Sequence, residues 1–194
     1  LSKRVDVVVW RDGTQYQMSF EHGVPTTPLT SEPSPNKKKR GTQVRFWVDE
    51  QYFDNPKFSI KSLTHNLKAK AVLSAGLKID FINEIEPSDS ESWQYTDGVV
   101  QYLTEQLGEL AIIPEVPFYF SQEPTGGERG GATFAIAWLP ESGTPITESY
   151  VNLIPTAQGG THVNGLRTGI TDALREFCEI HSLLPRNVRL TADD

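Results

Sequence analysis

An α+β fold is predicted by the order of two kinds of pattern along the 194-residue chain. Runs of alternating apolar residues, the period of a half-buried strand, gather early and late. Between and after them, apolar residues recur at steps of three and four, the period of one helix face. Strands that pair mostly early and late, with helices between them, make an α+β pattern. No internal repeat is visible.

Val5, Val7 and Val9 alternate with Asp6, Val8 and Trp10, and Tyr16, Met18 and Phe20 alternate with Gln15, Gln17 and Ser19. Asp12-Gly13 between the two runs is a strong short-range hairpin signal. Residues 22 to 40 hold Pro25, Pro28, Pro33 and Pro35, then Lys37-Lys38-Lys39-Arg40, and read as a solvated loop with a basic end. Contact of that end with DNA phosphate is the alternative to a plain mobile loop. Gly41 to Val48 returns to a strand with Val44, Phe46 and Val48 on one side.

A helix capped by Ser59 runs to about Ser74, with Gly76 as its stop. Its inner face is Ile60, Leu63, Leu67 and Ala71. Lys57, Lys61, His65 and Lys68 form a basic stripe on another face. The stripe is either the wet side of the helix or a surface turned to a DNA-sized cavity. Leu77 to Ile85 predicts a strand, Glu84 to Glu91 an acidic turn, and Trp93 to Leu107 a second helix that Gly98 weakens. Pro114 and Pro117 bracket an extended segment through Phe120. Thr125 to Gly131 reads as a glycine-rich turn, and Thr133 to Leu139 as a strand.

Tyr150 to Ile154 alternates and suits a mostly buried strand, which Pro155 stops. Gly159 and Gly160 permit a turn, and Thr161 is placed to cap the helix that follows. Leu166, Ile170, Ala173, Leu174, Phe177 and His181 share a face of that helix, and Pro185 closes it. A glycine turn before a helix can hold phosphate. Neither Gly-x-x-x-x-Gly-Lys-Ser/Thr nor Gly-x-Gly-x-x-Gly spacing is present, so turn and cap come first.

A chain of this length fits one domain and buries roughly 70% of its unfolded surface without disulfides or metal. Its one cysteine, Cys178, reads as core packing in a reducing compartment, which places the protein in the cytoplasm. His181 lies one turn from Cys178, but such neighbours are common on helices. The formal charge of −7 argues against a dedicated nucleic-acid binder. No apolar run reaches the ~20 residues of a membrane span, and no secretory signal leads the chain.

His22, His65, His162 and His181 are scattered over separate elements, and no His/Cys/Asp cluster has zinc spacing. Asp193-Asp194 and the pair Asp89 and Glu91 sit at an end or in a turn, poor places for general acid–base work. His162 is the best single candidate for chemistry, because it opens a helix where N–H groups gather positive charge. Fixing the turn by a bond to nearby backbone is its favoured job.

The stretch Tyr150-Val-Asn-Leu-Ile-Pro-Thr-Ala-Gln-Gly-Gly-Thr-His-Val-Asn-Gly-Leu-Arg167 resembles a segment of the B-type (ATPase) subunits of bacterial type IIA DNA topoisomerases. That family comprises gyrase B and the B-type subunit of DNA topoisomerase IV. Arg40 to Trp47 is similar to its glycine-threonine strand, and Leu63 to Leu73 to the helix that follows. Trp138-Leu139-Pro140, Glu148-Ser149-Tyr150, Leu184-Pro185-Arg186 and Leu190 to Asp193 continue in order. Val163-Asn164-Gly165-Leu166 resembles the topoisomerase IV branch more than the gyrase branch. Leu1 to Val5 resembles the end of a helix after the family's ATP lid.

The resemblance implies that residues 1–194 are an incomplete transducer domain. Its fold would be like domain 2 of ribosomal protein S5, a mixed β-sheet with helices packed on one face and a left-handed crossover. The implied whole is the ATPase subunit of an isomerase, a type II DNA topoisomerase that couples ATP binding and hydrolysis to DNA relaxation and decatenation. Its cofactors would be ATP and magnesium, bound by a domain upstream of Leu1. A switch lysine that touches the γ-phosphate would lie beyond Asp194. Both ends therefore read as cut from a longer polypeptide. Implied partners are DNA, the A-type subunit of topoisomerase IV and a second copy of the B-type subunit, in a heterotetramer, and no membrane. No residue here matches a nucleotide ligand of the family, so no catalytic, cofactor-binding or metal residue is assigned, and the fragment is expected to be inactive. Two other readings remain: an S5-like small-molecule kinase half, which lacks a phosphate loop here, and a free-standing interaction domain.

Overall fold

The computed structural model describes residues 1–123, 130–140, 145–185, 188 and 190–191. The expected turn at Thr125 to Gly131 falls mostly outside them, as do Arg186 and Ala192 to Asp194. The chain divides into two compact units, Leu1–Ile60 and Lys61–Asp194.

The first unit is an antiparallel sheet. β1 (Ser2–Arg11) and β2 (Thr14–Glu21) form the hairpin that Asp-Gly predicts. Asp12 and Gly13 both take positive φ, at 52° and 74°, as a two-residue turn matched to strand twist requires. Ser2 to Val5 is thus strand, not the end of a helix: the run of valines up to Val9 favours the pleated surface. The segment after β2 is not all loop. β3 (Val24–Pro25) and β4 (Thr30–Pro33) both pair with β2 at the sheet edge, where proline is tolerated. β5 (Gly41–Val48) pairs with β1.

The register gives this sheet two unlike faces. Val5, Val7 and Val9 lie level with Phe20, Met18 and Tyr16, and Val5 and Val7 with Phe46 and Val44. The other face carries Arg4, Asp6, Gln17, Gln43, Arg45 and Trp47. Asp49 follows β5, buried, and caps a 3-10 turn (Glu50–Tyr52) by accepting the Gln51 N–H. His22 Nδ1 lies 3.1 Å from the same carboxylate.

In the second unit, α1 (Ile60–Leu73) ends at Leu73, and Gly76, with φ of 85°, turns the chain as expected. Lys57 lies before α1, so the helical part of the stripe begins at Lys61. β6 (Lys78–Phe81) pairs with β7 (Glu91–Gln94), and the acidic segment between them holds a 3-10 turn (Pro87–Asp89). Here the structure corrects the second helix. Trp93 belongs to β7, and α2 spans only Gly98–Leu107. Glu91-Ser-Trp-Gln94 alternates, Trp93 packs inward, and Gly98 at φ of 53° resets the chain before the helix.

Ala71, Val72, Trp93 and Tyr95 form the core here, with Leu67, Ile79, Phe81, Val99 and Tyr102 packed against it. Of the expected inner face of α1, Ala71 is in the core and Leu67 packs against it, and Ala69 and Val72 are buried beside them. β8 (Ile113–Gln122) and β9 (Ala132–Trp138) make a further hairpin. α3 (Thr161–Ile180) is the last helix. Every ladder among the described residues is antiparallel.

Candidate functional site

The segment that opens the second unit's late half is a tight hairpin. β10 (Tyr150–Val151) and β11 (Ile154–Pro155) are joined by Asn152 and Leu153, both at positive φ. The long buried strand expected from Tyr150 to Ile154 is thus two short strands, largely exposed. Asn tolerates the left-handed region, and it makes the turn inside what reads as one apolar run. Lys70 of α1 donates to the Leu153 carbonyl at 3.4 Å.

Hydroxyl groups close the base of this hairpin. The Thr156 N–H donates to the Ser149 carbonyl at 2.8 Å. Ser149 Oγ and Thr156 Oγ1 lie 2.6 Å apart, and Thr156 Oγ1 lies 3.3 Å from His162 Nε2. His162 therefore fixes the turn through a side-chain hydroxyl rather than through backbone. Among the described residues no carboxylate bonds to its ring, so the chain Ser149–Thr156–His162 lacks the orienting acid of a hydrolytic triad.

Thr161 does not cap α3. Gly160 stands at the N-cap, without a side-chain cap bond, and Thr161 is the first helical residue. A Cβ on Gly160 would lie 2.9 Å from His162 Cε1, so the ring occupies the space a side chain needs. The inner side of α3 is Val163, Leu166, Ile170, Thr171 and Cys178. Phe177 is largely exposed and its ring lies tilted against His181, centroids 4.4 Å apart, so that end of the expected face is uncovered. Cys178 is half-buried.

A carboxylate joins α2 to the hairpin. Tyr102 donates to one oxygen of Glu148 at 3.0 Å, and Tyr150 donates to the other at 2.5 Å. Burial first, and then the Glu148 hydrogen bond and charge, push the Tyr102 hydroxyl up to about 12. The same causes raise Tyr150 further. Lys68 lies 5.4 Å from the Tyr102 ring, which commits one member of the expected basic stripe to a cation–π contact. Lys61 and His65 are exposed.

Two cavities adjoin these groups. One of about 580 Å³ lies between α2, β9 and α3. Another of about 810 Å³ is lined by His65, Thr156, Gly159, Gly160 and Asn164. Glu148, Ser149, Tyr150 and Arg167 line both.

In the first unit two of the four cations of the basic loop are engaged. Lys39 Nζ sits 3.4 Å above the Trp10 ring, and Arg40 lies 3.6 Å from Asp12. No group of three or more His, Cys, Asp or Glu side chains among the described residues is placed to hold a metal ion.

Comparison with known proteins decides the family. The model described as DNA gyrase B matches residues 98–194, half of the chain. The chain belongs to the DNA gyrase B family. The B-type subunits of DNA topoisomerase 4 from Salmonella typhimurium and from Escherichia coli (strain K12) are each 50% identical to it over 194 residues. Those matches cover all of this chain and 30% of each relative, so the chain spans about a third of their length. A solved structure described as the topoisomerase IV ATP-binding domain of Francisella tularensis, in complex with a small-molecule inhibitor, superposes with a TM-score of 0.77 at 36% identity. It is matched over 100% of this chain and 51% of its own. The α+β class and its S5-like character stand with these neighbours.

Sequence reasoning missed Tyr102, Glu148, Ser149, Thr156 and Arg167 as a group. Tyr102 and Glu148 are 46 residues apart, and no local spacing announces the pairing.

Proposed function

We propose that the chain is part of the ATPase subunit of an ATP-dependent type II DNA topoisomerase of the topoisomerase IV kind. It would couple ATP binding and hydrolysis to strand passage in relaxation and decatenation. The observation that carries this reading is 50% identity, over the whole chain, to proteins named as B-type subunits of DNA topoisomerase 4.

The transducer reading, made from sequence for residues 1–194, is proposed here for the unit Lys61–Asp194, which contains the matched segment 98–194. ATP and magnesium would serve the whole subunit, and this chain is assigned no ligand to either. The A-type subunit, a second copy of the B-type subunit and DNA are the proposed partners, and the cytoplasm is the proposed compartment. No described helix is long and apolar enough to cross a membrane.

The joint from Glu148 to His162 suits a mechanical role. Hydrogen bonds there link α1, α2, the β10–β11 hairpin and the start of α3, and among the described residues no carboxylate completes a hydrolytic triad with them. A lever needs such cross-links more than it needs a nucleophile.

The test is a chimera. Residues 1–194 replace the corresponding segment of the B-type subunit of Escherichia coli topoisomerase IV, and the product is assayed with the A-type subunit of that enzyme. ATP-dependent decatenation within about tenfold of the parent is expected. A chimera that folds, assembles and hydrolyses ATP but leaves linked circles untouched overturns the reading.

A further inference from the structure

We propose that His162 is a positioning residue: it carries a proton on Nε2, donates it to Thr156, and through that bond fixes how the β10–β11 hairpin meets the start of α3. The assignment comes from counting protons. Ser149 Oγ lies 3.1 Å from the Thr156 carbonyl oxygen and 2.6 Å from Thr156 Oγ1, and Thr156 Oγ1 lies 3.3 Å from His162 Nε2. Each hydroxyl owns one proton. The 2.6 Å contact must hold one of them, because two oxygens this close set lone pair against lone pair without it. If Ser149 supplied that proton, the Thr156 carbonyl would lose its donor. Only one arrangement fills every contact. Thr156 donates to Ser149, Ser149 donates to the Thr156 carbonyl, and the proton between Thr156 and the ring comes from Nε2.

The other ring nitrogen agrees. Nδ1 lies over Gly160, where an added Cβ would come within 3.0 Å of it. This is the first turn of α3, where N–H groups gather partial positive charge and favour a bare nitrogen over an N–H. The bonds therefore run in one sense, from His162 to Thr156, on to Ser149 and back to the Thr156 carbonyl. The Thr156 N–H is held as well, by the Ser149 carbonyl at 2.8 Å. Backbone and side chain of Thr156 are thus fixed together, and His162 is the member of this set that belongs to α3. The consequence for DNA rests on the topoisomerase reading: loss of the ring's proton contact should slacken α3 against the hairpin and spare ATP hydrolysis.

The first test uses the full chain labelled with nitrogen-15, at about pH 8, above the ordinary imidazole pKa of about 6.5. Long-range proton–nitrogen correlation reads both ring nitrogens, and the His162 signals are those missing from His162→Gln. A protonated Nε2 and a bare Nδ1 are expected, and a bare Nε2 overturns the proposal. His162→Gln puts an amide N–H at the reach of Nε2, and His162→Asn puts one only at the reach of Nδ1. Urea melts are expected to keep the folding constant of His162→Gln within about twofold of the parent. They should lower it roughly fivefold in His162→Asn and in Thr156→Val, with no further loss when the two are combined. Equal damage by Gln and Asn, or additive losses, overturns the proposal. In the chimera of residues 1–194 within the Escherichia coli subunit, His162→Asn is expected to relax DNA roughly fivefold more slowly at unchanged ATP hydrolysis, and His162→Gln to restore the rate. Parental relaxation by His162→Asn overturns the positioning role. Failure of the topoisomerase reading shows instead in the parent chimera, and the ring-nitrogen spectrum and the melts then still decide where the proton lies.

Discussion

Tyr102 donates a hydroxyl hydrogen bond to Glu148 across 3.0 Å and so ties the middle of α2 to the segment leading into the β10–β11 hairpin. Tyr150 approaches the same carboxylate from the hairpin itself. One acidic side chain thus holds two elements that sequence separation alone would leave independent.

Tyr102→Phe removes this bond and keeps the ring. A net loss of about 1 kcal/mol in unfolding free energy is expected. Urea denaturation of mutant and parent measures it. A neutral result would mean that Glu148 finds an equivalent donor in water.

Alkaline pH should loosen the same joint. Burial and Glu148 favour the neutral form of Tyr102 in the folded state, so its folded pKa lies above the unfolded value. The associated stability is complete below about pH 10 and is lost as pH rises through about 12. Tyr150, and Tyr95 beside Glu105, shift the same way. Absorbance at the phenolate band should therefore show part of the six tyrosines ionising only with unfolding. A single smooth titration near the free value would contradict this.

Gly160→Ala and Thr161→Ala should differ sharply. The added Cβ at Gly160 meets the His162 ring and strains a backbone φ of 156°. A loss on the order of 1 kcal/mol is expected, with the His162–Thr156 contact broken. Thr161 caps nothing, so Thr161→Ala should stay within about 0.5 kcal/mol of the parent. Thermal melts of both variants decide it. On the proposed topoisomerase role, Gly160→Ala in the whole subunit is expected to slow DNA relaxation more than it weakens ATP binding.

DNA binding by this chain should be weak and salt-sensitive. Its formal charge is −7, and Lys39 and Arg40 are engaged with Trp10 and Asp12. Phosphate contacts release counterions, so affinity falls steeply as salt rises. Fluorescence anisotropy with a labelled duplex across a salt series is the measurement. Tight binding that survives high salt would require a surface other than these cations.

The parts of the fold that could be read from sequence were those with strong local signals. Asp12-Gly13 between alternating runs specified its hairpin, and Gly76 specified the end of α1. The errors arose where local and tertiary preferences compete. Trp93 and Tyr95 lie near enough to α2 to pass for its first turn, yet burial against Ala71 and Val72 holds them extended. Asn152 and Leu153 hide a reversal inside an apolar run, because the left-handed backbone they adopt leaves no periodic trace. The Gly159–His162 turn was legible as a joint. Its partners were not, since Ser149, Thr156 and Glu148 are ordinary loop residues until the hairpin folds them back.

Cys178 offers a different kind of access to α3. It is the only thiol in the chain and is half-buried on that helix. A maleimide should react faster with it when α3 lifts from its neighbours, so the rise in alkylation rate above the folded baseline is a clock for that opening. One unmodified sulfur thus makes the helix its own reporter. Following that clock on this chain, with and without denaturant, would time the opening of α3 without introducing a foreign residue.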